Sequence, residues 1–209
     1  MTYSRDERLA LAALLEETGP DAPTLCAGWR TRDLAAHVVV RERRPDAGVG
    51  VMGGPLAGYT DRVRQTYLDR HSYPELIAIF RSGPPRLSPF ALPGADAAAN
   101  TVEYFVHHED VRRGAAGWTE RELSPGLSEA LWKRLKSSRL FLRSAPTGVV
   151  LARADASAPA IVAKTAAEPV TVAGTPAELT LWSMGRVSAA NVTFDGPEEA
   201  VARLTAWRR

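Results

Sequence analysis

Residues 102–113, "VEYFVHHEDVRR", set two of the chain's four histidines side by side among three carboxylates. Whether this stretch is helical, and which of its sides is buried, decides the architecture. Asp96 to Gly114 has the spacing of one long helix, in which each residue turns about 100° and positions four apart share a face. With Val102 as reference, Ala98, Ala99, Phe105 and Val106 form an apolar stripe within about 60°. Glu103 and His107 lie at one edge of the stripe, and Asp110 falls on the same side. His108 and Glu109 point the opposite way and read as solvated positions.

A second histidine-bearing helix lies earlier. Thr31 precedes "RDLAAHVVVRERR" as a candidate N-cap, with Asp33 in the first turn and the end at Pro45. His37 sits close to the stripe of Leu34, Ala35 and Val38. In a helical bundle, inward side chains of two helices can converge on one ion, and His37, Glu103 and His107 supply two imidazoles and a carboxylate. That set suits zinc with one position left open, or iron, manganese or nickel. Asp110 is spaced to accept a ring N–H and hold the ligand tautomer. The alternative from spacing alone is an i,i+4 Glu–His pair on a solvated face.

Around these helices the pattern is helical as far as residue 143. Residues 3–18, 59–70 and 72–83 read as helices, and 125–143 as one long helix with Pro125 in its first turn. "PDAGVGVMGGPLAG" and "GPPRLSPFALPG" read as loops. His71, in "LDRHSYPE", reads as a loop residue. From "SAPTGVV" onward short β-prone runs appear ("GVVLARAD", "AIVAK", "PVTVAG", "NVTFDG"), with helices at "TPAELTLWSMG" and "PEEAVARLTAWRR". The expected organisation is a helical region over 1–146 and a small α+β unit over 147–209.

A formal charge of +2 with scattered arginines predicts no nucleic-acid partner. No apolar run of about 18 residues occurs, so no membrane span is expected, and the mixed charges of the N-terminal stretch do not read as a secretory leader. A cytoplasmic address is the expectation. Cys26, the single cysteine, excludes an internal disulfide and a thiolate-rich zinc site. In "PTLCAGW" it reads as a small buried loop residue.

Three motifs carry a family resemblance. "GWRTRDLAAHVVVRE" resembles the W-x-x-x-D-L-x-x-H segment of the DinB/YfiT-like four-helix proteins, more closely of their mycothiol-dependent maleylpyruvate isomerase branch. "VEYFVHHEDVRR" is similar to that branch's E-x-x-x-H-x-x-D helix, and "PVTVAGTPAELTLWSMGR" to a stretch of its small C-terminal domain. The resemblance implies a mainly α fold: a DinB-like up-down four-helix bundle followed by a small α+β C-terminal domain. It implies metal ligands at His37, Glu103 and His107, with zinc the usual ion, and a thiol cofactor such as mycothiol or bacillithiol.

The activity implied is an isomerase or S-transferase acting on small electrophiles. A free thiol with a pKa of about 8.5 is mostly protonated at neutral pH, and a divalent cation favours its thiolate. Arg186, from the motif match, and Arg41, one turn after His37, are the candidates to bind a substrate carboxylate. "RERRPDAGVG" and "GPPRLSPFALPG" depart from the better-known isomerases and imply a different substrate pocket. The expected partners are a small-molecule substrate and the thiol, in a monomer or homodimer. A non-catalytic metal-binding stress-response or regulatory protein of the same fold is the alternative.

Overall fold

The computed structural model describes residues 2–44, 46, 57–85, 88, 94–155 and 158–207. The stretches read as loops over 45–58 and 83–94 lie largely outside the described residues, as do the side chains of Ala98 and Ala99. The chain divides into two compact units, Met1–Thr119 and Glu120–Arg209.

The first unit is helical: α1 (Tyr3–Thr18), α2 (Thr31–Arg43), α3 (Ala57–Arg70), α4 (Tyr73–Ser82) and α5 (Ala95–Arg112). α1 packs along α5 and α4, and α2 along α3 and α4. The buried residues of α1 are Ser4, Glu7, Arg8, Leu11, Ala12 and Leu15, the 3–4 spacing of a core-facing stripe. Its C-terminal half is apolar and joins Leu34, Val38, Leu76, Phe80 and Tyr104 in the core. Its first turns are charged. α2 starts one residue earlier than Thr31 suggests as N-cap: Arg30 caps it, Asp33 Oδ2 accepts from Arg30 N at 3.0 Å, and Thr31 Oγ1 donates instead to the Gly19 carbonyl.

α5 departs from the amphipathic expectation. Tyr104, Phe105, Val106, His107, His108, Glu109, Asp110 and Val111 are consecutive and all buried. His108 and Glu109, read as solvated, lie in the interior because α1 covers that flank: His108 Nδ1 is 3.3 Å from Glu7 Oε2. Glu109 accepts from Arg112 at 3.0 Å and Arg113 at 2.7 Å. Beside them Arg8 donates to Glu42 Oε1 at 2.9 Å, and the Tyr104 hydroxyl donates to the same oxygen. The Tyr104 phenol is raised far above its ordinary range by burial and by the Glu42 charge.

The second unit holds α6 (Pro125–Arg134), a 3-10 turn (Leu135–Ser138), α7 (Arg139–Leu142), β1 (Val149–Arg153), β2 (Ile161–Lys164), β3 (Val170–Gly174), α8 (Pro176–Ser183), β4 (Thr193–Asp195) and α9 (Glu198–Ala206). The sheet order is β2-β1-β3-β4, with β1 and β3 parallel and the outer pairs antiparallel. The single helix expected over 125–143 is broken at Leu135–Ser138. Ser137 Oγ bonds back to the Arg134 carbonyl at 2.6 Å, the competition with the backbone ladder that serine offers inside helices. Trp132, Leu135 and Leu142 share a core with Val149, Leu151, Val172, Leu179 and Trp182. The shift in composition near residue 146 marks a change of secondary structure, while the helices before it pack with the strands after it.

The chain is thus mainly helical, with a small four-stranded sheet in its C-terminal part. No helix among the described residues is long and apolar enough to cross a membrane.

Because the Arg8 and Glu42 side chains are only 7% and 1% exposed, removing one partner strands a buried charge. Glu42→Ala is expected to cost about 3–5 kcal/mol, read as lost amide protection in α1 and α5. Protection within about 1 kcal/mol of the parent would contradict a tightly coupled pair.

Candidate metal centre

Two helices and one loop build the site, all within Met1–Thr119. α2 carries His37 and Arg41, one turn apart, and α5 carries Glu103, His107 and Asp110 along one flank. His37 Nε2 lies 3.4 Å from Glu103 Oε1, and His107 Nε2 lies 3.2 Å from the same oxygen. The two imidazoles meet edge to face, with centroids 5.0 Å apart.

These separations suit a cation. Zinc bonds to nitrogen and oxygen of about 2.0–2.2 Å in tetrahedral array place donor atoms roughly 3.3–3.5 Å apart. Ordinary N–H···O bonds cluster nearer 2.9–3.0 Å. One donor atom each from His37, Glu103 and His107 falls within 4.8 Å of the others, so the donor set fits a divalent ion in both chemistry and spacing.

Asp110 is placed as the periodicity of α5 requires: its fully buried Oδ2 lies 2.9 Å from His107 Nδ1. A proton on Nδ1 directed at Asp110 leaves Nε2 facing Glu103, the carboxylate–histidine arrangement that orients metal-ligating imidazoles. Burial is the largest influence on His107 and opposes its charge. Hydrogen bonds with Asp110, Cys26 and Glu103 outweigh it, so the metal-free ring titrates well above the ordinary histidine range. Glu103 shows the converse: burial works against its charge, but His107, His37 and Arg41 hold it well below the usual carboxylate range. His37, where burial dominates, is lowered. In the metal-free protein the two histidines therefore differ, His107 holding the proton and His37 staying neutral near pH 7.

Arg41 borders the cluster. Its Nε donates to the buried Asn100 Oδ1 at 3.2 Å and lies 3.6 Å from Glu103 Oε1. Arg186 lies in the other unit, just after α8, where it donates to the Met184 carbonyl at 2.7 Å. His71 sits in the turn after α3 with its ring against Tyr67, and belongs to no ligand group among the described residues.

The loop between α1 and α2 closes the site from the remaining side. Trp29 packs its ring on His37, centroids 5.1 Å apart, and the Arg64 guanidinium carbon lies 5.1 Å from the Trp29 ring centroid. Cys26, only partly buried, donates from Sγ to Asp110 Oδ2 at 3.2 Å. The loop is fastened by Leu25 N to the Asp110 carbonyl at 3.0 Å, and by Thr24 Oγ1 to the Trp29 carbonyl at 2.9 Å. Gly114, just past α5, permits the approach: a Cβ there would lie 2.2 Å from the Pro23 carbonyl oxygen. Neither contact of Cys26 and Trp29 is visible from periodicity, because loops have none. The sequence signals are Trp29 as the first residue of the W-x-x-x-D-L-x-x-H resemblance and a glycine directly after a long helix.

Two histidines and one carboxylate thus converge from α2 and α5 within the helical unit. Residues 3–83 match the family described as mycothiol maleylpyruvate isomerase N-terminal domain, which shows the resemblance over α1–α4. The match includes His37 and ends before α5, so the placement of Glu103 and His107 beside His37 rests on the geometry above. No curated protein and no solved structure matches the chain.

Asp110→Asn removes the charge that favours the His107 imidazolium while keeping the shape. In the metal-free protein the His107 titration midpoint, followed by nitrogen NMR of the ring, is expected to move to lower pH. An unmoved midpoint would contradict the assigned role of Asp110.

Proposed function

We propose that the protein is a divalent-metal-dependent enzyme that uses a low-molecular-weight thiol of the mycothiol type to isomerise small electrophiles or to transfer the thiol to them. The observation that carries this reading is the convergence of His37, Glu103 and His107 at cation spacing, within the unit that bears the family match. Three protein donors are the number catalytic zinc sites use, whereas structural sites close the shell with four. Zinc suits the donors best; nickel, iron or manganese accept the same set.

A divalent ion, when bound, would supply the positive charge that favours the thiolate form of an incoming thiol over the thiol. The chain's own residues prepare for that. Asp110 keeps a proton on His107 Nδ1 and so aims Nε2 at the cluster. Glu103 supplies the negative charge that offsets the cation. Trp29 covers one side of His37 and limits its exposure to water. The nucleophile is external, so Cys26 need not react.

Arg41 is the residue the geometry supports for a substrate carboxylate. Its guanidinium borders the cluster, with Nε 3.6 Å from Glu103 Oε1, and a planar fork suits bidentate recognition. Arg186 is the second candidate, from the motif resemblance, and its bond to Met184 ties it to the end of α8.

Protein purified without chelator is expected to hold one divalent ion per chain and to lose it in His37→Ala and His107→Ala. It should turn over activated electrophiles only with added thiol. Arg41→Ala should retain the metal and raise KM for carboxylate-bearing substrates by roughly 10-fold or more, the cost of a charged hydrogen bond. Metal that survives both histidine substitutions would sink the site, and turnover indifferent to thiol would remove the transferase reading.

A further inference from the structure

His107 has two ring nitrogens, and the site above uses one. On the other edge of the same imidazole, Nδ1 lies 2.9 Å from Asp110 Oδ2, a hydrogen bond that an ion would open by a few tenths of an ångström to reach donor spacing, and Cys26 Sγ lies 3.2 Å from that oxygen. One donor atom each from Cys26, His107 and Asp110 falls within 4.8 Å of the others. We propose that Cys26, Asp110 and Nδ1 of His107 form a second cation seat, for a thiophilic divalent ion of the zinc class, sharing His107 with the first.

The donor chemistry selects the ion. Thiolate, imidazole and carboxylate together suit zinc and its softer congeners, and discriminate against magnesium and calcium, which take oxygen ligands. Thiolate and carboxylate contribute two negative charges, which balance a divalent cation in a largely buried setting where net charge is costly. Asp110 is fully buried and His107 nearly so, while Cys26 is partly exposed and offers the approach. Three protein donors leave room for water or an exogenous ligand.

The seat is built into the backbone. Leu25 N holds the Cys26 loop to the Asp110 carbonyl, Trp29 N closes the turn on the Cys26 carbonyl at 2.9 Å, and Gly114 admits Pro23 and Thr24 against the end of α5. Binding releases two protons, one from the Cys26 thiol and one from His107 Nδ1. The Nδ1 proton that Asp110 accepts in the metal-free protein is replaced by the ion. With both seats filled, His107 would give up its Nε2 proton as well and offer one nitrogen to each ion. Occupation of the second seat does not require the first.

The test titrates the reduced full-length protein with cadmium, following the thiolate-to-metal charge-transfer absorption and the metal retained after desalting. The parent is expected to show the thiolate band and two retained equivalents. Cys26→Ser should keep one equivalent and lose the band. His37→Ala should keep the band and lose the equivalent held with Glu103. His107→Ala should lose both. Cadmium NMR of the unmodified protein, which needs no variant to fold, should give two resonances, one displaced by sulfur ligation. Should the proposed first site fail, a single equivalent with a thiolate band that ignores His37→Ala would remain, and the second seat would stand alone. Absence of the thiolate band and of the sulfur-shifted resonance in the parent overturns the proposal.

Discussion

α5 is buried on every side along its middle turns while carrying six ionisable groups from Glu103 to Asp110. A charge taken out of water has to be paired or neutralised, at a cost of several kcal/mol if it is not. Each neighbouring element of the N-terminal unit answers one side of that demand. α1 brings Glu7 to His108, α2 brings His37 and Arg41 to Glu103, and the loop before α2 brings Cys26 to Asp110. Arg113 answers Glu109 from the end of α5 itself. The bundle is held by apolar packing of Leu11, Leu15, Leu34, Phe80 and Tyr104, and the pairings select which residues of α5 face which neighbour.

The two flanks of α5 do different work. On the α1 flank the charges meet protein partners: Arg8 and Tyr104 both donate to Glu42 Oε1, and Arg112 and Arg113 both donate to Glu109. On the α2 flank one carboxylate oxygen is shared by two imidazole nitrogens at 3.4 and 3.2 Å. Glu103 there offers one site to two donors, and the metal-free protein balances its charge chiefly with a proton on His107. On the proposed reading a divalent cation would substitute for that proton and use all three side chains at once.

The mainly helical fold with a late sheet was legible because helical and strand periods differ and because Gly and Pro punctuate the elements. Glu103, His107 and Asp110 were legible as neighbours for the same reason: spacings of three and four fix a shared flank whatever covers it. His108 was not, since which flanks are covered depends on where α1 packs, and α1 buries Glu7 and Arg8 through long-range pairs. Cys26 was hidden by lying in a loop, and Trp29 showed only as the first residue of the W-x-x-x-D-L-x-x-H resemblance, because the loop is positioned by Gly114 and by the backbone bond from Leu25 to the distant Asp110. The family match runs through α4 and stops short of α5, so the partner of His37 is supplied by packing.

The proposed centre requires His37, Glu103 and His107 to meet on one ion, which X-ray absorption at the zinc edge of protein loaded with a single equivalent reads from the ligand shell. The expected first shell contains two imidazole nitrogens and a carboxylate oxygen, collapsing to one imidazole in His37→Ala. A shell without paired imidazoles, or one unchanged by His37→Ala, would contradict it.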